Sequence, residues 1–120
     1  MPQHSELSEE RWSQFTFDQQ ILMIANEMNR GSSLVASKDV EKIKTCYERV
    51  LQLTDLTVRT QTKPTLRSEL LRWRDCIAEL YLHKTSRPDD HRSAFRCLLR
   101  FTPEASLQIR YLRGAASDAF

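Results

Sequence analysis

Cys76, His83, His91 and Cys97 are residue types that bind zinc, and all four lie in the C-terminal half of a 120-residue chain. Two thiolates and two imidazoles would complete a tetrahedral site. Successive members are separated by six, seven and five residues, however, whereas zinc fingers use short paired spacings. The plainer reading is two helical cysteines and two loop histidines, so no metal and no cofactor are expected. Arg92, Arg96 and Arg100 form a second set. Four-residue spacing rotates each by only about 40° around a helix, which places all three on one side. Lys84, Arg87, Arg110 and Arg113 could extend that patch. Such a cluster can neutralise nucleic-acid phosphates, meet an acidic protein, or be a solvated face. The third set is aromatic. Trp12, Phe15 and Phe17 fall within six residues, which suits a hook folded back on the domain. The alternative is an exposed anchor for a partner, with Trp12 and Phe15 as the candidate contacts.

Motifs of catalysis are missing. No glycine-rich phosphate loop, GxSxG, HExxH or CxxC occurs. Arg87 and His91 have three residues between them, too few for the Arg–His pair of small helical ribonucleases. The carboxylates are scattered over polar helical faces, the usual solvated arrangement. The chain is therefore expected not to be an enzyme.

Composition says what must position these groups. Apolar residues are 40 % of the chain and charged residues 28 %, a globular balance that can sustain one core. Two glycines and four prolines leave little punctuation for hairpins of strands, while Leu, Glu, Arg, Gln and Ala suit helices. No apolar run is long enough for a transmembrane helix, and the first residues lack the basic and apolar regions of a secretory signal. Three cysteines with no paired spacing fit reduced, mostly buried thiols and a cytoplasmic location. The net charge of +2 hides an asymmetry. Residues 1–62 carry seven basic and nine acidic groups, and residues 63–120 carry eleven and seven.

Periodicity divides the chain into helices. Ser8 with Glu9 and Glu10 can cap one short turn. Thr16 and Gln19 have capping-box form and open a helix carrying Ile21, Ile24, Ala25 and Met28. Gly31-Ser32-Ser33 either frays that helix or admits a close neighbour. Lys38–Arg59 is the clearest amphipathic stretch, with Val40, Ile43, Tyr47, Val50, Leu51 and Val58 on one face. Ser37 or Asp39 would cap it, and Asp55 and Arg59 are correctly ordered as an i,i+4 pair. Pro64 or Thr65 starts a third helix striped with Leu66, Leu70, Trp73, Ile77, Leu80 and Tyr81. Asp89 or Asp90 would cap a fourth, with Ala94, Leu98 and Phe101 inward. Thr102-Pro103-Glu104 restarts a last short helix carrying Leu107, Ile109, Tyr111 and Leu112. The expected fold is all-α, a helical bundle or stacked helical hairpins of three long and two short helices, with one domain over 1–113 and a disordered tail over 114–120.

Residues 31–55 also resemble one tetratricopeptide helix-turn-helix. Gly31 and Leu34 have the spacing of that family's first-helix glycine and large residue. Ile43, Tyr47 and Val50 stand where its second helix has a small residue, an aromatic and a small residue. Ile43 and Val50 are larger than that pattern, Glu27, Arg30 and Asp55 replace its Trp, Leu and Pro, and the nearest echo, from Asp90 to Phe101, comes about 51 residues on rather than 34. The resemblance implies a groove for partner peptides. Taken together, these features predict a helical protein-interaction or adaptor module with a protein partner, a second copy of the chain (a homodimer) among the candidates. The alternative is a nucleic-acid-associated module using Arg92, Arg96 and Arg100.

Overall fold

Each helix begins where a short-range capping signal or a proline satisfies its first turn. The computed structural model describes residues 8–83 and 87–110. Ser8 accepts a hydrogen bond from the Arg11 backbone N–H and opens the single turn α1 (Glu9–Trp12). Thr16 and Gln19 form the full reciprocal capping box of α2 (Phe17–Ser37). Asp39, rather than Ser37, caps α3 (Val40–Thr60). Pro64 occupies the first turn of α4 (Pro64–Leu82), and Thr102 caps α6 (Pro103–Ser106) ahead of Pro103. At α5 (Pro88–Leu99) the expected aspartate cap is replaced by Pro88 in the first turn. Asp89 and Asp90 lie inside that turn, where they complement the helix dipole and pair with Arg92 and Arg87.

Gly31 does not fray α2, which runs on to Ser37. The reason is a close approach. A Cβ on Gly31 would stand 2.8 Å from the Cε1 of His91 and 3.1 Å from the Cys46 sulfur. Only a residue without a side chain lets α5 and α3 come this near to α2. Lys38 then closes α2 in the left-handed conformation, at φ 61°. That reversal leaves two residues between two 21-residue helices, so α2 and α3 must be antiparallel neighbours.

α2, α3, α4 and α5 close into a ring in which α2 packs on α3 and α5, and α4 on α3 and, less extensively, on α5. α1 lies against α3, and α6 against α2 and α5. Ile21, Ile24 and Met28, Val50 and Leu53, Leu70 and Ile77, and Leu98 fill the shared core from all four walls. The expected all-α bundle is what forms, but with four long and two short helices among the described residues instead of three long and two short, because α5 serves as a fourth wall. Two local expectations change. Asp55 pairs with Arg74 of α4 instead of Arg59, and Arg59 reaches Glu9 of α1. Asp55 and Arg74 are both only about one-third exposed, so a partner across the helix interface offers better screening from water than an exposed i+4 neighbour. Leu107 is exposed, while Ile109 packs on the core. Tyr111, Leu112, Lys84, Arg113 and the 114–120 tail lie outside the described residues. No helix among the described residues is long and apolar enough to cross a membrane.

Candidate functional site

At the centre of the ring, polar atoms meet that the sequence keeps far apart. His91 of α5 is 2 % exposed, and its Nδ1 lies 2.7 Å from the Tyr47 hydroxyl of α3. Its Nε2 lies 2.9 Å from the Met28 carbonyl and 3.3 Å from the Ser32 hydroxyl, both on α2. A serine, a histidine and a third group in contact have the parts list of a nucleophile and its base. The hydrogen positions argue otherwise. A carbonyl only accepts, so Nε2 must carry the proton and Nδ1 must accept from the Tyr47 O–H. Nε2 then has no lone pair with which to take a proton from Ser32. Burial lowers the His91 pKa below its ordinary value, against a smaller opposing pull from the Met28 carbonyl. The Tyr47 hydroxyl is driven the other way, well above its usual range, chiefly by the same desolvation. Both side chains are therefore neutral, and the cluster ties α5 across the ring to α3 and α2 as a structural contact. The sequence alone suggests a loop position for His91, whereas it lies within α5. Its position one turn into α5, in register with Ala94, Phe95 and Leu98, was the signal that it faces inward.

The same inward turn separates the four zinc-type residues. Cys76, Cys97 and His83 line a groove between α4 and α5, and His91 faces the opposite side of α5 toward α2. The groove has a volume of about 320 Å³. Trp73, Leu80 and Ala94 give it an apolar floor, and Glu79, His83, Arg87 and Asp90 stand along its length. The Trp73 indole N–H donates to the Ala94 carbonyl at 2.8 Å, which fixes the floor by joining the two walls. Arg87 closes one end, hydrogen-bonded to His83 and paired with Asp90. The groove opens on the side of the ring where the packing is least extensive, because the 12-residue α5 is too short to cover the 19-residue α4.

Two expected buried thiols are exposed. Only Cys46 is buried, whereas Cys76 and Cys97 face the groove, and all three are free. Desolvation first, and the nearby Glu27 second, push the Cys46 thiol up to about 11. The Cys76 thiol is also raised, by partial burial and then by the adjacent Cys97. A disulfide reagent added to native protein at pH 8 is expected to titrate two thiols promptly. The third should react only as the protein unfolds in denaturant. Three equally fast thiols would mean that α2 and α3 part readily around Cys46.

The other candidate contacts are divided by the fold. Trp12 is 0 % exposed, and its indole N–H donates to the Thr57 hydroxyl at 3.0 Å. It is therefore not an exposed anchor, because an indole inside the core hides its whole area and satisfies its donor at once. Phe15 beside it remains 37 % exposed, edge-on to Trp12. Arg92 pairs with Asp89 at 2.6 Å and faces the cleft between α5 and α2, Arg96 is half-buried, and Arg100 is exposed at the end of α5. Asp89 and Asp90 stand in the first turn of the same helix, where Asp89 offsets the charge of Arg92 and Asp90 that of Arg87. The described residues thus form a ring of four helices with an apolar, thiol-bearing groove between α4 and α5. Comparison of the chain with protein-family models, with curated proteins and with solved structures finds no match.

Proposed function

We propose that this chain is a non-enzymatic helical interaction module that receives a segment of a protein partner in the α4–α5 groove. The observation that carries this reading is the groove itself, with its apolar floor of Trp73, Leu80 and Ala94 and its charged walls. Apolar anchors seated between charged rims are how helical and extended segments are held in grooves. It is also in keeping with the peptide groove implied by the tetratricopeptide-like pattern, although the groove here lies between α4 and α5 rather than within residues 31–55. The arginine-stripe reading has less support, since Asp89 pairs with Arg92 and Asp90 with Arg87.

A photocrosslinker attached to Cys97 tests the proposal. Cys76 is replaced by serine, and the probe is activated in native lysate. The expected result is a discrete protein adduct that disappears when Ser93→Trp fills the groove in an otherwise folded protein. Adducts that persist in the filled variant, or a crosslink pattern dominated by nucleic acid, would overturn it.

A further inference from the structure

On the opposite wall of the ring, α2 and α3 bring three cations to one pocket. Arg30 and Leu34 of α2 and Lys42, Thr45, Cys46 and Arg49 of α3 line a space of about 260 Å³. Glu27, only 8 % exposed, lies behind it. Its carboxylate approaches Arg49 at 3.7 Å and Arg30 at 4.0 Å. These are ion-pair distances, beyond the range in which an N–H hydrogen bond is made. The buried Glu27 Oε1 correspondingly accepts no hydrogen bond among the described residues. One carboxylate thus holds two guanidinium groups in place without saturating their donors. Lys42 meets Asp39 at 3.9 Å in an exposed pair, and water screens that contact heavily. Desolvation first and Glu27 second push the Cys46 thiol up while Arg30 and Arg49 pull it down, in keeping with the ion-pair distances that gather these three charges at one wall of the pocket.

We propose that this pocket binds a phosphoryl group, as free phosphate or as a phosphate monoester. Arg30, Arg49 and Lys42 carry three positive charges against the two negative charges of Glu27 and Asp39, and Asp39 stands in an exposed, water-screened pair, so the pocket presents a net positive charge to an anion. Guanidinium forks present paired N–H donors to tetrahedral oxygens, and an ammonium adds a point charge at the rim. Cations drawn from two helices make the site depend on the α2–α3 packing, unlike a row of lysines on one exposed helix. The site lies away from the α4–α5 groove and does not rest on the function proposed for it.

The test is an amide NMR titration of the full chain with sodium phosphate at pH 7.5, with chloride replaced so that ionic strength stays constant. Saturable shifts with one dissociation constant are expected at residues 30–34 and 42–49. Arg49→Gln and Lys42→Gln should each weaken binding about tenfold or more, as loss of a charge-assisted hydrogen bond does. Arg72→Gln, which removes an exposed pairing with Glu69 on α4, should leave it unchanged. Lys42 is exposed, so its variant keeps the test valid even if the half-buried Arg49 is needed for folding. O-phosphoserine serves as the second ligand. Tighter binding than inorganic phosphate assigns the site to monoesters, and equal or weaker binding assigns it to the free anion. Shifts that grow linearly without saturation, or that in both glutamine variants are unchanged from those of the native chain, would overturn the proposal.

Discussion

Replacing Trp12 with alanine should destabilise the protein by about 3–5 kcal/mol, the range for deleting a large buried aromatic. A four-residue helix has no stability of its own, since nucleation costs more than one turn returns. What holds α1 in place is the indole in the core, the Thr57 bond to its N–H, and the Gln20 amide donating to the Trp12 carbonyl at 2.9 Å. Removing the ring leaves a cavity against α3 and frees the segment before α2. Trp12→Phe should lose less, about 1–2 kcal/mol, because most of the apolar area stays. The Thr57 hydroxyl also keeps its own bond to the Leu53 carbonyl. Urea unfolding followed by circular dichroism measures both. A loss below 1 kcal/mol for Trp12→Ala would mean that α1 is not docked on α3 in solution.

Replacing His91 with phenylalanine should cost about 2–3 kcal/mol at pH 7.5, and it should also remove part of the acid sensitivity. The phenyl ring fills similar space but leaves the buried Tyr47 hydroxyl with no acceptor, an error of about 1–3 kcal/mol. The pH dependence has a definite sign. Because burial lowers the folded-state pKa of His91, the unfolded chain takes up the proton first as pH falls. Stability from this residue is complete above the unfolded value of about 6.5. It declines as pH drops below that value, by at most about 1.4 kcal/mol per unit, until the folded form also protonates. Protonation puts a second N–H on the ring at Nδ1, so the Tyr47 hydroxyl must turn from donor to acceptor. Unfolding curves between pH 7.5 and 5 should therefore be steeper in pH for the native chain than for His91→Phe. Equal slopes would show that His91 is accessible to protons while folded. Tyr47→Phe separates the two effects, since it removes the hydroxyl and retains the titrating ring.

Both results depend on contacts between residues far apart in the chain, Trp12 with Thr57 and His91 with Tyr47, and this is where sequence reading stopped. Their partners lie 45 and 44 positions away, and nothing in either segment alone selects them. The three sets of chemistry-bearing residues illustrate the same limit. Arg92 and Arg96 lie four residues apart on α5, as the period requires, yet only the folded chain shows Asp89 paired with Arg92 and Asp90 with Arg87. The aromatic cluster was legible as a cluster, but which ring enters the core depends on where α3 presents Thr57. Nothing in the sequence marks the Arg30–Lys42–Arg49 pocket, because its members are spread over two helices with no motif spacing.

By itself the sequence determined the all-α class, the start of nearly every helix and the apolar faces. Those properties are local, since a cap acts over three residues and a stripe repeats every three or four. Tertiary structure alone decided that Cys76 and Cys97 face a groove while Cys46 is enclosed, and that His91 is a neutral core residue rather than a loop ligand. It also decided that Gly31 is a point of close approach rather than a break. The physical reason is that burial, desolvation and ion pairing belong to the space between helices. Packing four stripes around one core fixes that space, and no single helix carries enough information to specify it.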